Sequence, residues 1–193
     1  GVNKANYFVT RDVQQDIVFQ KDGGLFGELG IIYTNNGKEA LDYKNYLRII
    51  LPLGTKLSAV TIDGVEQTIV PAVTDAASYE GKRFTKPKGF EVEQVSQDGK
   101  TIFGFLVVVP KEKQTTVVAS YQLPKPELIN NNHLQYSLLL FKQPGTEEYP
   151  YTFSLSFPDS MKTIKLSSGL SQKDNRVFLK KNISGDEQID ISL

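Results

Sequence analysis

The stretch YLRIILPLGTKLSAVTIDG at residues 46–64 decides the fold of this chain. Leu47, Ile49 and Leu51 stand at every second position, which is the spacing of a strand that buries one face. Asp63-Gly64 closes the stretch, and an aspartate followed by a glycine favours the positive φ angles of a two-residue hairpin turn. The pattern therefore predicts strands that end in a tight hairpin.

The strand after that turn, Val65–Val70, is expected to pair back on residues 56–62. Elsewhere, short runs of β-branched and aromatic residues alternate with glycine, proline, asparagine and aspartate, which is typical of strands and turns. Because crossover helices are missing, the pattern predicts an all-β fold, an antiparallel β-sandwich of immunoglobulin-like type, built as two packed sandwiches or one enlarged sandwich. The other predicted strands are 6–10, 13–20, 25–33, 46–52, 90–95, 101–109, 115–123, 134–141, 149–157, 163–166, 176–180 and 187–193.

A proline-rich junction divides the chain into two regions. Pro124-Lys125-Pro126 stiffens and exposes the backbone. We therefore expect a β-sandwich domain at residues 1–124, and at 125–193 a smaller β domain or a continuation of the same sandwich. The first region contains a long loop near 71–89, in which Thr74–Glu80 is expected to form a brief helix.

Composition restricts the classes of function. The 22 lysines and arginines balance 22 aspartates and glutamates, so no net field attracts the phosphates of nucleic acid. The absence of cysteine excludes disulfides, thiolate nucleophiles and zinc–sulfur sites. No apolar run approaches the ~20 residues of a membrane helix. Since the first residue is not methionine, we expect a processed fragment that has no membrane span of its own.

Candidate catalytic residues are few. His133 is the only histidine, and it follows three asparagines before a predicted strand, so an exposed loop position is expected. Carboxylate pairs can hydrolyse glycosides when their separation is suitable, but neighbouring carboxylates on a solvent-facing strand are ordinary. The pairs are Glu91 with Glu93, Glu147-Glu148, and Asp186-Glu187. The sequence therefore predicts no enzyme, no catalytic residue and no cofactor.

Four motifs could bind a ligand. The acidic loops Ser184–Asp190 and Lys21–Gly24 lack the spaced aspartates and terminal glutamate of a calcium-binding EF-hand, so turn geometry explains them better than a metal site. The basic stretch Lys82–Lys88 surrounds Phe84 with cations and could contact an anionic glycopolymer, lipid headgroups or a protein, although a solvated loop is the simpler interpretation. Tyr149-Pro150-Tyr151 could offer an aromatic platform to a sugar, or could pack against the sheet. We predict no metal site.

A resemblance to a known family lies in four stretches, Lys44–Leu57, Asn3–Val9, Tyr121–Pro124 and Lys142–Thr146. They resemble the C-terminal region of the bacterial domain-of-unknown-function family four-zero-one-two. The resemblance implies an envelope protein, held by an N-terminal membrane segment, whose outer part ends in β domains of this kind. The family has no established activity, so the resemblance implies no functional residue.

The expected function is a noncatalytic structural or adhesive binding module of a bacterial cell-surface protein. Its expected partner is a protein or an envelope glycopolymer, and its expected location is extracellular, anchored through an upstream segment. The alternative is an accessory β domain of an envelope-polysaccharide enzyme whose catalytic part lies upstream. A third hypothesis, hydrolysis by acidic residues of this chain, is weaker because the sequence indicates no specific pair.

Overall fold

The computed structural model describes residues 8–37, 41–74, 87–125, 134–142 and 146–193. Fifteen strands lie in these ranges, and the predicted all-β sandwich, in which antiparallel pairs dominate, is confirmed. The described ranges contain no helix with the length and apolar character needed to cross a bilayer. The strands are β1 Val9–Phe19, β2 Leu25–Asn35, β3 Tyr43–Pro52, β4 Lys56–Ile62, β5 Val65–Glu66, β6 Ile69–Pro71, β7 Phe90–Gln97, β8 Lys100–Val109, β9 Gln114–Leu123, β10 Gln135–Leu140, β11 Tyr149–Ser156, β12 Lys165–Leu166, β13 Ser171–Lys173, β14 Arg176–Ile183 and β15 Glu187–Ser192.

The strands form a large sheet and two smaller ones. The large sheet has the order β13-β14-β11-β1-β2-β9-β4-β5, the four-stranded sheet β3-β8-β7-β6, and the three-stranded sheet β10-β15-β12. One hydrophobic cluster receives side chains from all three sheets. The Tyr33 and Tyr43 ring centroids, from the large and four-stranded sheets, lie 6.4 Å apart. Those of Phe153 and Tyr136, from the large and three-stranded sheets, lie 5.9 Å apart. The two small sheets therefore cover one face of the large sheet and form the second layer of a sandwich.

The predicted turn at Asp63-Gly64 is confirmed, with φ angles of 51° and 78°, and it joins β4 to β5. The prediction that Val65–Val70 pairs back as one strand is wrong beyond Glu66. The Gln67 amide still donates to the Val60 carbonyl oxygen of β4 at 2.8 Å, but the chain then leaves the large sheet, and Ile69–Pro71 pairs parallel with β7 of the four-stranded sheet. Val65 and Glu66 are both exposed at the edge of the large sheet, so a longer return strand would bury little apolar surface.

The large sheet contains strands from both sides of Pro124. β1 pairs antiparallel with β2 along its whole length, and on its other side it pairs parallel with β11, from Val13 opposite Tyr151 to Val18 opposite Ser156. One hydrogen-bonded sheet therefore includes strands that precede and follow the junction. Of the brief helix predicted at Thr74–Glu80, all residues except Thr74 lie outside the described part of the chain.

A glutamine links two tyrosines inside the sandwich. The Tyr151 hydroxyl donates to Gln15 Oε1 at 2.9 Å, and Gln15 Nε2 donates to the Tyr121 hydroxyl at 3.1 Å. All three side chains are buried, so their polar atoms need partners within the protein. The Tyr121 ring occupies the space beside Gly27, where an added Cβ would lie 2.1 Å from Tyr121 Cε2. Burial raises the pKa of Tyr121 to about 12 and also raises the pKa of Tyr151.

Candidate binding surfaces

An open depression of about 640 Å³ lies where β11 ends beside the β13–β14 hairpin. Ser156 and Phe157 form one side of it, and Lys173, Arg176 and Phe178 form much of the other. The hairpin turns sharply at Asp174-Asn175, where Asp174 has a φ angle of 50°. We refer to this feature as the hairpin depression.

Arg176 is held in position by two residues of neighbouring strands. Its Nη2 donates to Asp16 Oδ1 on β1 at 3.1 Å and to Ser154 Oγ on β11 at 2.8 Å, and the Ser154 hydroxyl donates to the same Asp16 oxygen. The side chain of Arg176 is 57% exposed, so solvent screens the ion pair and its contribution to stability is small. The network orients the guanidinium more than it stabilises the fold.

The register of the hairpin places several charged side chains on one face. Lys173 on β13 lies directly opposite Arg176 on β14, and directly opposite residues of an antiparallel pair point to the same face. Phe178 and Lys180 follow Arg176 at every second position, so they share that face, and all three are exposed. The three cations on this face, Lys173, Arg176 and Lys180, are accompanied by three carboxylates: Asp174 in the turn, Asp16 bound to Arg176, and Asp159 bound to Asn175. The depression is therefore bordered by charged side chains of both signs and by the exposed ring of Phe178.

A second surface lies on the outer side of the four-stranded sheet. Tyr46 and Ile50 of β3 and Leu106 and Val108 of β8 are 39–58% exposed. Tyr46 is directly opposite Leu106, and Ile50 is directly opposite Ile102, so these side chains occupy neighbouring register positions. We call these five residues the apolar face.

Tyr46 lies across this face and reaches β7, which is separated from β3 by β8. Its hydroxyl donates to Glu93 Oε2 of β7 at 2.6 Å, and an added Cβ at Gly104 of β8 would lie 2.6 Å from the same hydroxyl oxygen. Partial burial and the hydrogen bond to Glu93 together raise the pKa of Tyr46 to about 12. A glycine at position 104 therefore allows Tyr46 to cover the sheet and bind Glu93. Glu91, two residues earlier on β7, has a buried Oε1 with no hydrogen-bond partner in the described residues.

The structure places the other sequence candidates as follows. His133 and residues 82–86 of the basic stretch lie outside the described residues. Asp22 Oδ1 accepts the Gly24 amide hydrogen within its own turn, whereas Asp186 Oδ1 accepts the Lys142 amide hydrogen and so links the segment between β14 and β15 to the end of β10. Over the described ranges, no three histidine, aspartate or glutamate side chains are grouped to hold a metal ion. Tyr151 is buried in the core, so it offers no surface to a sugar.

The sequence-based interpretation did not identify Asp16, Ser154, Arg176 or the apolar face as parts of a surface. The alternation of Arg176, Phe178 and Lys180 within a predicted strand was the available signal, because it places the three side chains on one face. Asp16 is 160 residues from Arg176 in the chain, so only the pairing of β1 with β11 and of β11 with β14 brings them together.

Comparisons with known proteins extend the description of the fold. No protein-family model and no curated sequence matches the chain. Among solved structures, it is similar to native leukotriene A4 hydrolase from Saccharomyces cerevisiae, with a TM-score of 0.52 and 10% identity over 96% of this chain and 29% of that one. The yeast enzyme in complex with bestatin gives a TM-score of 0.50 and 9% identity, and the match covers 96% of this chain and 28% of the enzyme. A zinc metallopeptidase from Deinococcus radiodurans gives a TM-score of 0.39 and 12% identity, and the match covers 95% of this chain and 42% of that protein. The similarity to the yeast enzyme shows a shared fold, and the chain spans less than a third of that enzyme's length.

Proposed function

We propose that this chain is a noncatalytic β-sandwich module that binds another folded protein domain through the apolar face. The observation that carries the proposal is the exposure of Tyr46, Ile50, Leu106 and Val108 at adjoining positions of one sheet surface. Contiguous exposed apolar side chains mark interaction surfaces, because covering them removes apolar area from water at about 25 cal/mol per Å².

The three-stranded sheet of the same molecule provides an internal comparison. The outward positions of a half-buried antiparallel sheet are normally polar. On this sheet Ser137 and Asp190 follow that rule, since the Ser137 hydroxyl donates to Asp190 Oδ1 at 2.7 Å, whereas Leu139 is an exposed apolar exception. On the neighbouring strand positions, the Ser192 hydroxyl donates to Gln135 Oε1 at 3.0 Å. The outer surface of the four-stranded sheet exposes four large apolar side chains where the three-stranded sheet exposes one, and this difference supports a role for it in contact with a partner.

Charged residues lie within and beside the apolar face, and Arg48 separates Tyr46 from Ile50 along β3. Lys44 and Arg48 occupy outward positions of β3 on either side of Tyr46, and Glu93 lies on β7 beyond Gly104. Protein interfaces commonly have an apolar centre and a polar rim. The partner proposed here is therefore a folded domain with an apolar patch of its own, bordered by groups that complement two cations and a carboxylate.

A second candidate function is supported by the fold comparison. In the yeast leukotriene A4 hydrolase, the matched region makes up less than a third of the chain, so this fold occurs there as one part of a larger enzyme. On that basis the partner domain would be the catalytic unit of a hydrolase, and the present chain would be its accessory module. Both candidates use the same apolar face, and they differ in whether the partner belongs to the same polypeptide.

The proposed location is the surface of a bacterial cell envelope, which rests on the resemblance of Lys44–Leu57 and the three shorter stretches to an envelope family. Treatment of intact cells with protease is expected to release the module into the medium. Its recovery only after cell lysis would contradict this location.

Thiol labelling tests the docking proposal, because the chain contains no cysteine and an introduced one is the only reactive thiol in it. We expect Ile50→Cys and Leu106→Cys to react readily in the isolated chain. In the intact gene product purified from its own cells, we expect both to react at least about tenfold more slowly, since a well-packed interface excludes water and reagent.

Leu139→Cys is the matched control. Leu139 is 55% exposed and Leu106 is 51% exposed, but Leu139 lies on the three-stranded sheet. Its labelling rate should be the same in both preparations. Equal rates at all three positions in the intact gene product would contradict the proposal. Protection that persists in the recombinant full-length polypeptide would support the accessory-module candidate, and protection seen only in material from its own cells would support a separate partner.

A further inference from the structure

We propose that an extended peptide segment of a partner protein binds between the two small sheets and completes the second layer of the sandwich as an added strand. The site lies between β3, an edge of the four-stranded sheet, and β10, an edge of the three-stranded sheet. We call it the strand slot. It is separate from the apolar face, which consists of outward side chains of β3 and β8.

Contacts with the large sheet place the two edges on either side of β1. Tyr43 of β3 packs against Tyr33 of β2, and Asn45 Nδ2 of β3 donates to the Tyr33 hydroxyl at 3.1 Å. Tyr136 of β10 stacks on Phe153 of β11. β1 lies between β2 and β11. Because neighbouring strands are about 4.8 Å apart, β2 and β11 are about 10 Å apart, which leaves the width of one strand above β1.

The other edge of each small sheet lies away from β1. β6 follows β5 after a link of two residues, and the Gln67 amide in that link donates to the Val60 carbonyl oxygen of β4, so β6 lies toward the β4–β5 end of the large sheet. An added Cβ at Gly169, after β12, would lie 3.7 Å from Leu179 Cδ1 of β14, so β12 lies toward β14. The free edges of β3 and β10 therefore face each other.

The walls of the strand slot are partly open to solvent. Leu47 of β3 is half-buried, whereas Phe105, directly opposite on β8, is 1% exposed. Leu138 of β10 is also half-buried, whereas Ile189, directly opposite on β15, is 3% exposed. In both sheets the interior is closed one strand away from the slot and accessible at its edge.

The floor of the strand slot shows the same pattern. Val13 of β1 lies directly opposite Ile31 of β2 and Tyr151 of β11, and directly opposite residues point to the same face. Ile31 and Tyr151 are buried, but Val13 between them is half-buried. Solvent therefore reaches the interior above β1, and an occupant of the slot must present apolar side chains to its floor.

The edges and their charges indicate the chemistry of the occupant. In the part of the chain that the structure describes, neither β3 nor β10 pairs with a strand on its second side. Two facing edges offer backbone donors and acceptors, which an extended peptide can satisfy on both of its sides. Lys44 and Arg48, at outward positions of β3, form no ion pair within the described residues. The expected segment therefore alternates inward apolar residues with outward acidic residues.

Fluorescence anisotropy with a synthetic peptide tests the proposal. The probe is a fluorescein-labelled, amidated heptapeptide of the sequence Asp-Val-Glu-Val-Asp-Val-Glu, for which we expect saturable binding. The same peptide with its three valines N-methylated should bind at least about tenfold more weakly, because it cannot donate hydrogen bonds from those residues to a strand edge. Equal binding of the two peptides would overturn the proposal, since it would exclude strand addition.

Val13→Phe should weaken binding of the probe at least about tenfold, because the larger side chain fills the floor of the slot. Val118→Phe is the matched control. Val118 is also half-buried, but it alternates with the buried Val117 and Ala119 of β9 and so lies on the opposite face of the large sheet. Circular dichroism of both variants checks that the fold is retained. Equal losses of binding in two folded variants, or no binding to the parent chain, would overturn the proposal.

Thiol labelling locates the peptide without a variant of the floor, since the chain contains no cysteine. The thiol of Leu47→Cys should react with a maleimide in the free chain and at least about tenfold more slowly in saturating probe. Ile50→Cys, on the apolar face, should react at the same rate with and without probe. Protection of Ile50→Cys alone would place the peptide on the apolar face and overturn the proposal.

Protection of Leu47→Cys in the absence of probe would also overturn it. That result would mean that another segment of this chain fills the slot, or a second copy if the protection depends on protein concentration. None of these outcomes decides whether a folded domain binds the apolar face.

Discussion

Raising the pH from 10 to 12 is expected to unfold this protein cooperatively. Burial raises the pKa of Tyr33 and of Tyr121 to about 12, and it also raises the pKa values of Tyr136 and Tyr151. An unfolded tyrosine ionises near pH 10. Below that pH both states keep their protons and the full stability is present. Above pH 10, the unfolded state releases the tyrosine protons while the folded state keeps them. The free energy of unfolding therefore falls as the pH rises from 10 towards the raised pKa values of the folded protein.

The expected loss is large because several tyrosines act together. At pH 11, each tyrosine that stays protonated in the folded state reduces the free energy of unfolding by about 1.4 kcal/mol. Four such residues give about 6 kcal/mol, which is comparable to the total stability of about 5–15 kcal/mol of a typical domain. The fold is therefore expected to become unstable between pH 10 and pH 12.

Two signals recorded during one titration check this expectation. Tyrosinate absorbance at 295 nm should rise in the same transition in which circular dichroism loses the β signal. Ionisation of all nine tyrosines near pH 10 with an unchanged β signal would contradict it. Tyr33→Phe, which removes a hydroxyl that accepts a hydrogen bond from Asn45 at 3.1 Å, should shift the midpoint upward, since one ionisable group is removed.

Gly27→Ala is expected to lower the free energy of unfolding by about 3 kcal/mol. The added methyl carbon would overlap the Tyr121 ring, with 2.1 Å to Cε2 and 2.5 Å to Cζ. The ring is only 1% exposed, and its hydroxyl accepts a hydrogen bond from Gln15, so it has little freedom to move. Displacing it would also leave buried polar atoms without partners, which costs about 1–3 kcal/mol. Urea unfolding followed by circular dichroism measures the change.

Gly30→Ala on the same strand is the control. A Cβ there would have its nearest heavy-atom neighbour, the Gln14 carbonyl oxygen, at 3.9 Å, which is an ordinary contact. Its stability should stay within about 0.5 kcal/mol of the parent, as for most surface substitutions. Similar losses in both variants would mean that the strand disfavours any side chain, and the overlap with Tyr121 would not be the cause.

Several parts of the fold could be predicted because they depend on neighbouring residues alone. The alternation of Leu47, Ile49 and Leu51 reflects a property of the extended chain, in which successive side chains point to opposite faces. The turn at Asp63-Gly64 was recognisable because few residues tolerate the positive φ angles found there. The end of the returning strand at Glu66 was not predicted, since it depends on where apolar surface can be buried.

In the candidate surfaces, too, some features could be predicted from neighbouring residues and others depended on how distant strands pair. Exposure of Tyr46 and Ile50 could not be read from the sequence, because β3 carries apolar residues on both faces and alternation does not say which face is covered. Arg176, Phe178 and Lys180 could be placed on one face of a strand. Their association with Asp16 and Ser154 could not be predicted, because no local pattern indicates which strands will pair.

By itself, the sequence determined that this polypeptide is extended throughout most of its length, where many of its turns fall, and that its total charge is balanced. Only the tertiary structure decided that β1 lies between β2 and β11, that the chain changes layers after Glu66, and which apolar side chains remain exposed. The physical reason is the range of the interactions. Strand and turn geometry arises from sterics within a few residues, whereas sheet order depends on the burial of apolar surface between segments more than a hundred residues apart.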